Sequence, residues 1–131
     1  MKLERLDGCV ILDNDKILLV KETKDWYWKL PGGKIEEGET AEGCAIREAK
    51  EELNADVKIL GLVGKYNYNF KNRNFELTAY EAIILDGNPH TTKQGLEAVN
   101  WFPIDFLNRG ATPFDSLIYH DLVKRKNPEE N

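Results

Sequence analysis

Gly33-Lys34-Ile35-Glu36-Glu37-Gly38-Glu39-Thr40-Ala41-Glu42-Gly43-Cys44-Ala45-Ile46-Arg47-Glu48-Ala49-Lys50-Glu51-Glu52-Leu53-Asn54-Ala55 is the stretch that decides how this 131-residue chain reads. Its second half is predicted to be a helix from Thr40 to Leu53. Thr40 is a good N-cap, Glu42 lies in the first turn where the helix dipole favours an acid, and Asn54 tolerates the left-handed conformation that closes a helix. At 3.6 residues per turn Glu48, Glu51 and Glu52 fall at i, i+3 and i+4, so three carboxylates crowd one face. Like charges at that spacing repel. The repulsion becomes useful if the face holds a hard divalent cation, which takes several oxygen ligands. A solvated helix face has the same look, with Arg47 and Glu51 as an i,i+4 pair. Just upstream, Pro31-Gly32-Gly33 is predicted to be a turn, and its glycines let backbone approach that face without side-chain obstruction.

Working outward, Cys9 to Leu12 and Ile17 to Val20 are short apolar runs on either side of Asp13-Asn14-Asp15-Lys16, which predicts a hairpin. Val57 to Phe70 and Asn74 to Leu85 read as two long strands joined by a Lys71-Asn72-Arg73-Asn74 loop, with Gly61 and Gly64 marking bends or bulges. Ala98 to Phe102 is a further short strand. Pro103 to Asn108 reads as a short helix stopped by Gly110. Thr112-Pro113 then opens a last helix with an apolar stripe at Phe114, Leu117, Ile118 and Leu122. Lys124-Arg125-Lys126 suits the end of that helix, and residues 127–131 are expected to fray. With neither repeat nor linker, the chain reads as one domain over residues 1–131, a layered α/β sandwich around a mixed sheet.

Composition narrows the function classes. A net charge of -5 lacks the basic footprint of a nucleic-acid-polymer binder. Nothing in the sequence approaches the ~18 apolar residues of a membrane span. Met1 to Val20 is too interrupted by charge for a signal peptide. Cys9 and Cys44 belong to no metal-binding or disulfide pattern, so a reducing cytoplasm is the expected setting.

Gly33, five residues, Glu39, seven residues, then Arg47-Glu48-Ala49-Lys50-Glu51-Glu52 resembles the box of the Nudix (MutT-like) hydrolase family, with every charged position matched. Trp28-Lys29-Leu30-Pro31-Gly32-Gly33 and Glu37-Gly38-Glu39-Thr40 resemble the family's usual surroundings of that box. The rest of the chain is similar only in length and strand order. Ala49 and Ala55 stand where larger apolar residues are usual, and Asn54 stands in place of a glycine. Asn is the best substitute there, while the smaller residues imply a closer-packed or compensated core behind the helix.

The resemblance implies a Nudix-type α/β/α sandwich and hydrolysis of a diphosphate linkage in a small nucleotide with Mg2+ or Mn2+. Glu48, Glu51 and Glu52 would hold the metal, with the carbonyl of Gly32 or Gly33 as a further ligand. Arg47 would orient Glu48, and Glu39 would tie the loop to the helix through Arg47. Glu48, Glu52 or Glu97 would be the general base, Glu97 lying in the loop expected before the Trp101-Phe102 strand. Such metals neutralise phosphate charge, lower the pKa of water and align the attack. Relatives are often dimers, so a homodimer is an open expectation.

For the substrate, Trp26 and Tyr27 have aromatic faces that stack on bases, an interaction worth roughly 1–3 kcal/mol per base in single-strand binders. Ordinary packing is the favoured account of them, because aromatics dominate cores, and Trp28 and Leu30 share the core-facing parity. Lys34, Arg73, Lys71 and Lys65 are candidate phosphate contacts. Relatives that cleave ADP-ribose tend to carry a proline about fifteen residues past the box, where this chain has Phe70 and Lys71. The tyrosine of dinucleoside-polyphosphate hydrolases and the coenzyme A motif are also missing. By elimination the resemblance favours a nucleoside triphosphate pyrophosphohydrolase, with ADP-ribose or nucleotide-sugar cleavage as the alternative. A nucleotide sensor without turnover is the rival of another class.

Overall fold

The computed structural model describes residues 2–109, 112 and 114–126. The first hairpin joins β1 (Leu3–Asp13) to β2 (Lys16–Glu22). Asn14 and Asp15 both take positive φ, the geometry of a two-residue turn whose twist matches that of the strands. A short β3 (Gly32–Lys34) precedes helix α1 (Ala41–Leu53). Two long strands follow, β4 (Asp56–Phe70) and β5 (Arg73–Asp86), then β6 (Leu96–Pro103), a 3-10 turn at Ile104–Arg109 and α2 (Asp115–Lys126). The strand order is β4-β5-β1-β2-β6, with β3 beside β1. β1 and β5 run parallel while the other pairs are antiparallel, so the sheet is mixed.

Alternation along the central strands divides the core in two. Cys9, Ile11, Leu18 and Val20 face one way and meet Ala45, Ala49 and Leu53 of α1. Val10, Ile17 and Leu19 face the other way and meet Leu107 with Ile118 and Leu122 of α2. One helix on each face makes the α/β/α sandwich. Ala49 and Ala55 are both fully buried, so their small side chains let α1 lie close on the sheet.

The Thr40 hydroxyl accepts the Gly43 N–H at 3.0 Å and caps α1, while Asn54 closes it at φ 53°. Thr40→Ala is expected to cost about 1 kcal/mol, read as a fall in thermal midpoint at constant cooperativity. The register of β4 shifts between Ile59 and Gly61 and again between Leu62 and Gly64, placing bulges at the expected glycines.

Several sequence expectations are corrected. Pro31-Gly32-Gly33 is not simply a turn, because Gly32 and Gly33 form β3 opposite Gly8 and Asp7. The absent side chains are what allow that strand to approach. The β4–β5 connection is only Lys71-Asn72, both at positive φ, and Arg73 begins β5. β6 starts at Leu96, which puts Glu97 in a strand rather than a loop. The segment after Pro103 is a 3-10 turn, and α2 begins at Asp115 rather than at Thr112-Pro113. Leu117 is exposed and lies outside the buried stripe. The stop at Gly110, Pro113 and the tail 127–131 lie outside the described residues.

Candidate active site

The sheet-side edge of α1 carries Glu48 and Glu52, a turn apart and 7% and 4% exposed. β3 lies against them. The Gly32 N–H donates to Glu52 Oε1 at 3.1 Å, and a side chain at Gly33 would place its Cβ 2.8 Å from the Glu48 carboxylate. Two buried acids thus sit beside a strand whose Gly32 admits no side chain and whose Gly33 leaves room for the Glu48 carboxylate. Burial raises the Glu52 carboxyl to about 8; the Glu48 carboxylate adds to the rise, and the Gly32 N–H and Lys93 oppose it.

Arg47 organises the outer side. Its Nε and Nη2 bind both oxygens of Glu39, at 2.6 and 3.1 Å. Its Nη1 reaches Glu48 Oε1 at 3.0 Å and Glu51 Oε2 at 3.1 Å. The bond from Arg47 holds the Glu39 carboxyl down at about 2, and Glu39 in turn accepts the Glu36 N–H. One guanidinium therefore ties the loop, Glu48 and Glu51 together. Glu51 is half-exposed and turned toward it.

Two participants were missed by the sequence reading. Asp7 of β1 is 2% exposed; its Oδ1 accepts from the Cys44 thiol at 3.2 Å and faces the Gly33 N–H at 3.4 Å, and its Oδ2 has no hydrogen-bond partner among the described residues. Burial, together with the charges of Glu48 and Glu39, pushes that carboxyl up to about 6. An acid on the same parity as buried Cys9 and Ile11 was the available signal. Lys93, in the loop before β6, places its Nζ 3.7 Å from Glu48 Oε2 and 4.0 Å from Glu52 Oε2. No local pattern announces a loop lysine of this kind.

A cleft of about 300 Å3 borders β3, walled by Tyr27, Phe70, Phe75, Arg73 and Gly32-Gly33 among others. Arg73 lies over the Phe75 ring at 5.0 Å and binds Glu4, Nε to Oε2 at 2.7 Å. Trp26 is 79% exposed and packs edge-on against Tyr27. Neither Trp26 nor Lys34 forms part of the cleft wall. Trp28 packs against Phe102 and Leu30 is buried, as their parity predicts. Glu97 pairs with Lys21 Nζ at 2.9 Å.

The family model described as "NUDIX domain" matches residues 3–122 of this chain. The chain belongs to the Nudix hydrolase family. It is 42% identical over 126 residues to the ADP-ribose pyrophosphatase of Methanocaldococcus jannaschii, covering 93% of this chain and 73% of that one. It is 30% identical over 92 residues to the 8-oxo-dGTP diphosphatase of Escherichia coli, covering 67% and 71% respectively. The MutT NUDIX hydrolase structure from Burkholderia pseudomallei shares the fold with a TM-score of 0.83 at 24% identity, over 92% of this chain and 98% of that one. No described helix of this Nudix hydrolase is long and apolar enough to cross a membrane.

Nudix hydrolases require divalent metal ions, and the donor chemistry here fits one. Glu48 and Glu52 are oxygen donors already stripped of water, beside a strand where a Cβ would intrude on Glu48. Among the described residues no three acidic, histidine or cysteine side chains are grouped as a ready-made metal shell. Glu51 is paired with Arg47, and the Oε2 atoms of Glu48 and Glu52 face Lys93.

Proposed function

We propose that this Nudix hydrolase cleaves the diphosphate linkage of a nucleoside triphosphate, releasing the monophosphate and pyrophosphate. The carrying observation is that the two-residue segment Gly32-Gly33 forms one wall of the aromatic cleft and also contacts the carboxylate pair. A nucleoside in the cleft thereby brings its phosphates to the acids. The cleft sits at the lower end of the ~300–1,000 Å3 range of ligand sites, suiting one nucleoside.

Glu48, Glu52 and Glu51 are the side chains that would hold Mg2+ or Mn2+, with the Gly32 or Gly33 carbonyl as a further ligand. The bound ion supplies charge neutralisation at the phosphates and activation of water. Arg47 fixes Glu48 and Glu51, and Glu39 fixes Arg47. Glu52 and Glu48 are the general-base candidates within this group. Glu97 is a weaker one because Lys21 engages its carboxylate. Lys71 and Arg73 at the cleft wall offer positive charge to phosphates, and Tyr27 offers an aromatic face. Tyr27→Ala is expected to raise KM about tenfold with a smaller change in kcat, within the roughly 1–3 kcal/mol of a lost stacking contact.

Hydrolysis of ADP-ribose is the second reading, favoured by the 42% identity to a relative of that name across most of this chain. The test is a panel of nucleoside triphosphates, ADP-ribose, nucleotide sugars and dinucleoside polyphosphates, each with Mg2+, Mn2+ and EDTA. Pyrophosphate released from a triphosphate, and lost in EDTA, is the expected result. Ribose phosphate released from ADP-ribose as the preferred reaction selects the second reading. Tight binding of one compound without turnover of any overturns both and leaves a nucleotide sensor.

A further inference from the structure

Each buried acid of the pair has one oxygen occupied and one turned the same way. Glu48 Oε1 accepts from Arg47 and Glu52 Oε1 accepts from Gly32 N–H, while both Oε2 atoms face the ammonium of Lys93. At 3.7 and 4.0 Å these contacts are ionic rather than hydrogen-bonded. The lysine side chain is 41% exposed against 9% and 6% for the two acids, so the ammonium can leave toward water.

The backbone bearing Lys93 is fixed more firmly than its side chain. The turn lies between Gly87 and Gly95, both at positive φ. Its middle is fastened to the end of α1: the His90 N–H donates to the Leu53 carbonyl at 3.1 Å. Asn54 Nδ2 donates to the His90 carbonyl at 3.0 Å and to Thr92 Oγ1 at 3.4 Å. The Thr23 N–H holds the far end through the Gly95 carbonyl at 2.9 Å. A glycine at position 54 would satisfy the left-handed helix end equally well, and it would supply neither side-chain bond.

We infer that Lys93 is a tethered counter-ion of the Glu48–Glu52 pair, that its ammonium competes with divalent metal for the two Oε2 atoms, and that Asn54 is the positioning residue that keeps it there. The inference rests on the reading of Glu48 and Glu52 as metal-holding acids. A metal ion reaching both atoms must displace the ammonium, because two cations so close repel each other. Solvent around the exposed amine moderates the effect to about tenfold in affinity.

The experiment is Mn2+ titration by calorimetry at one pH and ionic strength, on wild type, Lys93→Met, Lys93→Arg, Asn54→Gly, Glu52→Gln and the Lys93→Met/Asn54→Gly pair. Lys93→Met should tighten Mn2+ about tenfold, and Lys93→Arg, which keeps the charge, should stay near wild type. Asn54→Gly should tighten it about threefold, and should add nothing once Lys93 is Met, because it acts through Lys93. Unchanged or weaker Mn2+ binding in Lys93→Met overturns the competition. A tightening by Asn54→Gly that persists in the pair overturns the tether. Wild-type protein that binds no Mn2+, or binds it undiminished in Glu52→Gln, overturns the metal reading itself, a distinguishable result.

Discussion

Glu52→Gln is expected to lower kcat by about 10³-fold and, in the same protein without metal, to raise thermal stability at neutral pH. The first effect corresponds to about 4 kcal/mol of lost transition-state stabilisation, the scale expected when charge neutralisation at a phosphate is impaired. The second follows from burial. Glu52 is 4% exposed beside another buried acid, and its carboxyl is raised to about 8. In the unfolded chain the same group titrates near ~4.3. Below that pH both states hold the proton and the folded state carries no penalty. As pH rises from there to about 8 the unfolded chain loses its proton first, so stability falls throughout that interval and levels off above it. Asp7, raised from 3.8 to about 6, gives a slope of the same sign over the lower part of the range.

Thermal melts in EDTA should therefore decline from pH 5 to pH 8 in wild type. In Glu52→Gln the decline should be confined to the titration of Asp7, centred near pH 6, and fade above it. Glutamine keeps an oxygen for the Gly32 N–H, so the packing is preserved. Melting of the variant below wild type at pH 8 in EDTA would show that the buried carboxylate carries no cost.

The other large effect belongs to Gly32→Ala. The added Cβ would lie 2.1 Å from the carbonyl oxygen of Asp7 and 2.9 Å from the Gly8 Cα. These are backbone atoms of the central strand, held on their other side by β5, so nothing can give way cheaply. The expected loss is at least about 3 kcal/mol, at or beyond the upper end of ordinary overpacking. Separation of β3 from β1 would also withdraw the Gly32 N–H from Glu52, so activity should fall with stability, and added metal should restore neither. Gly38→Ala is the contrast: its φ of +82° is unfavourable for alanine, but nothing lies within 4 Å. It should cost about 1 kcal/mol. A Gly32→Ala protein that melts within 2 °C of wild type would contradict the β1–β3 register.

Local chemistry made much of this molecule readable. Thr40 and Asn54 bound the helix, Asn14-Asp15 closes the first hairpin, and Gly61 and Gly64 mark two irregularities in β4. The order of Glu39, Arg47, Glu48, Glu51 and Glu52 is local to one loop and one helix, so their proximity follows from helical geometry. What escaped reading depends on contacts between distant segments. Gly32-Gly33 becomes a strand only because Asp7 and Gly8 are there to pair with it. Leu117 looks like part of a stripe, yet it is exposed while Ile118 and Leu122 enter the cluster with Leu107. Arg73, a candidate phosphate contact in sequence, is paired with Glu4 of β1. Lys93 reaches the acids through the closure of a loop onto the end of α1.

The parallel pairing of β1 with β5 sets Leu3 opposite Asn74 and Ile11 opposite Ala82. β1 precedes β5 in the chain by β2, β3, α1 and β4, so this central strand gains its partner along that edge only once those elements and β5 have been made. Closing so long an intervening segment has an entropic cost that local contacts do not share, and such topologies fold slowly. During that wait the apolar run from Cys9 to Leu12 presents an unpaired edge, the situation in which nascent chains associate wrongly. The first strand of the sheet waits for the fifth to close its open edge.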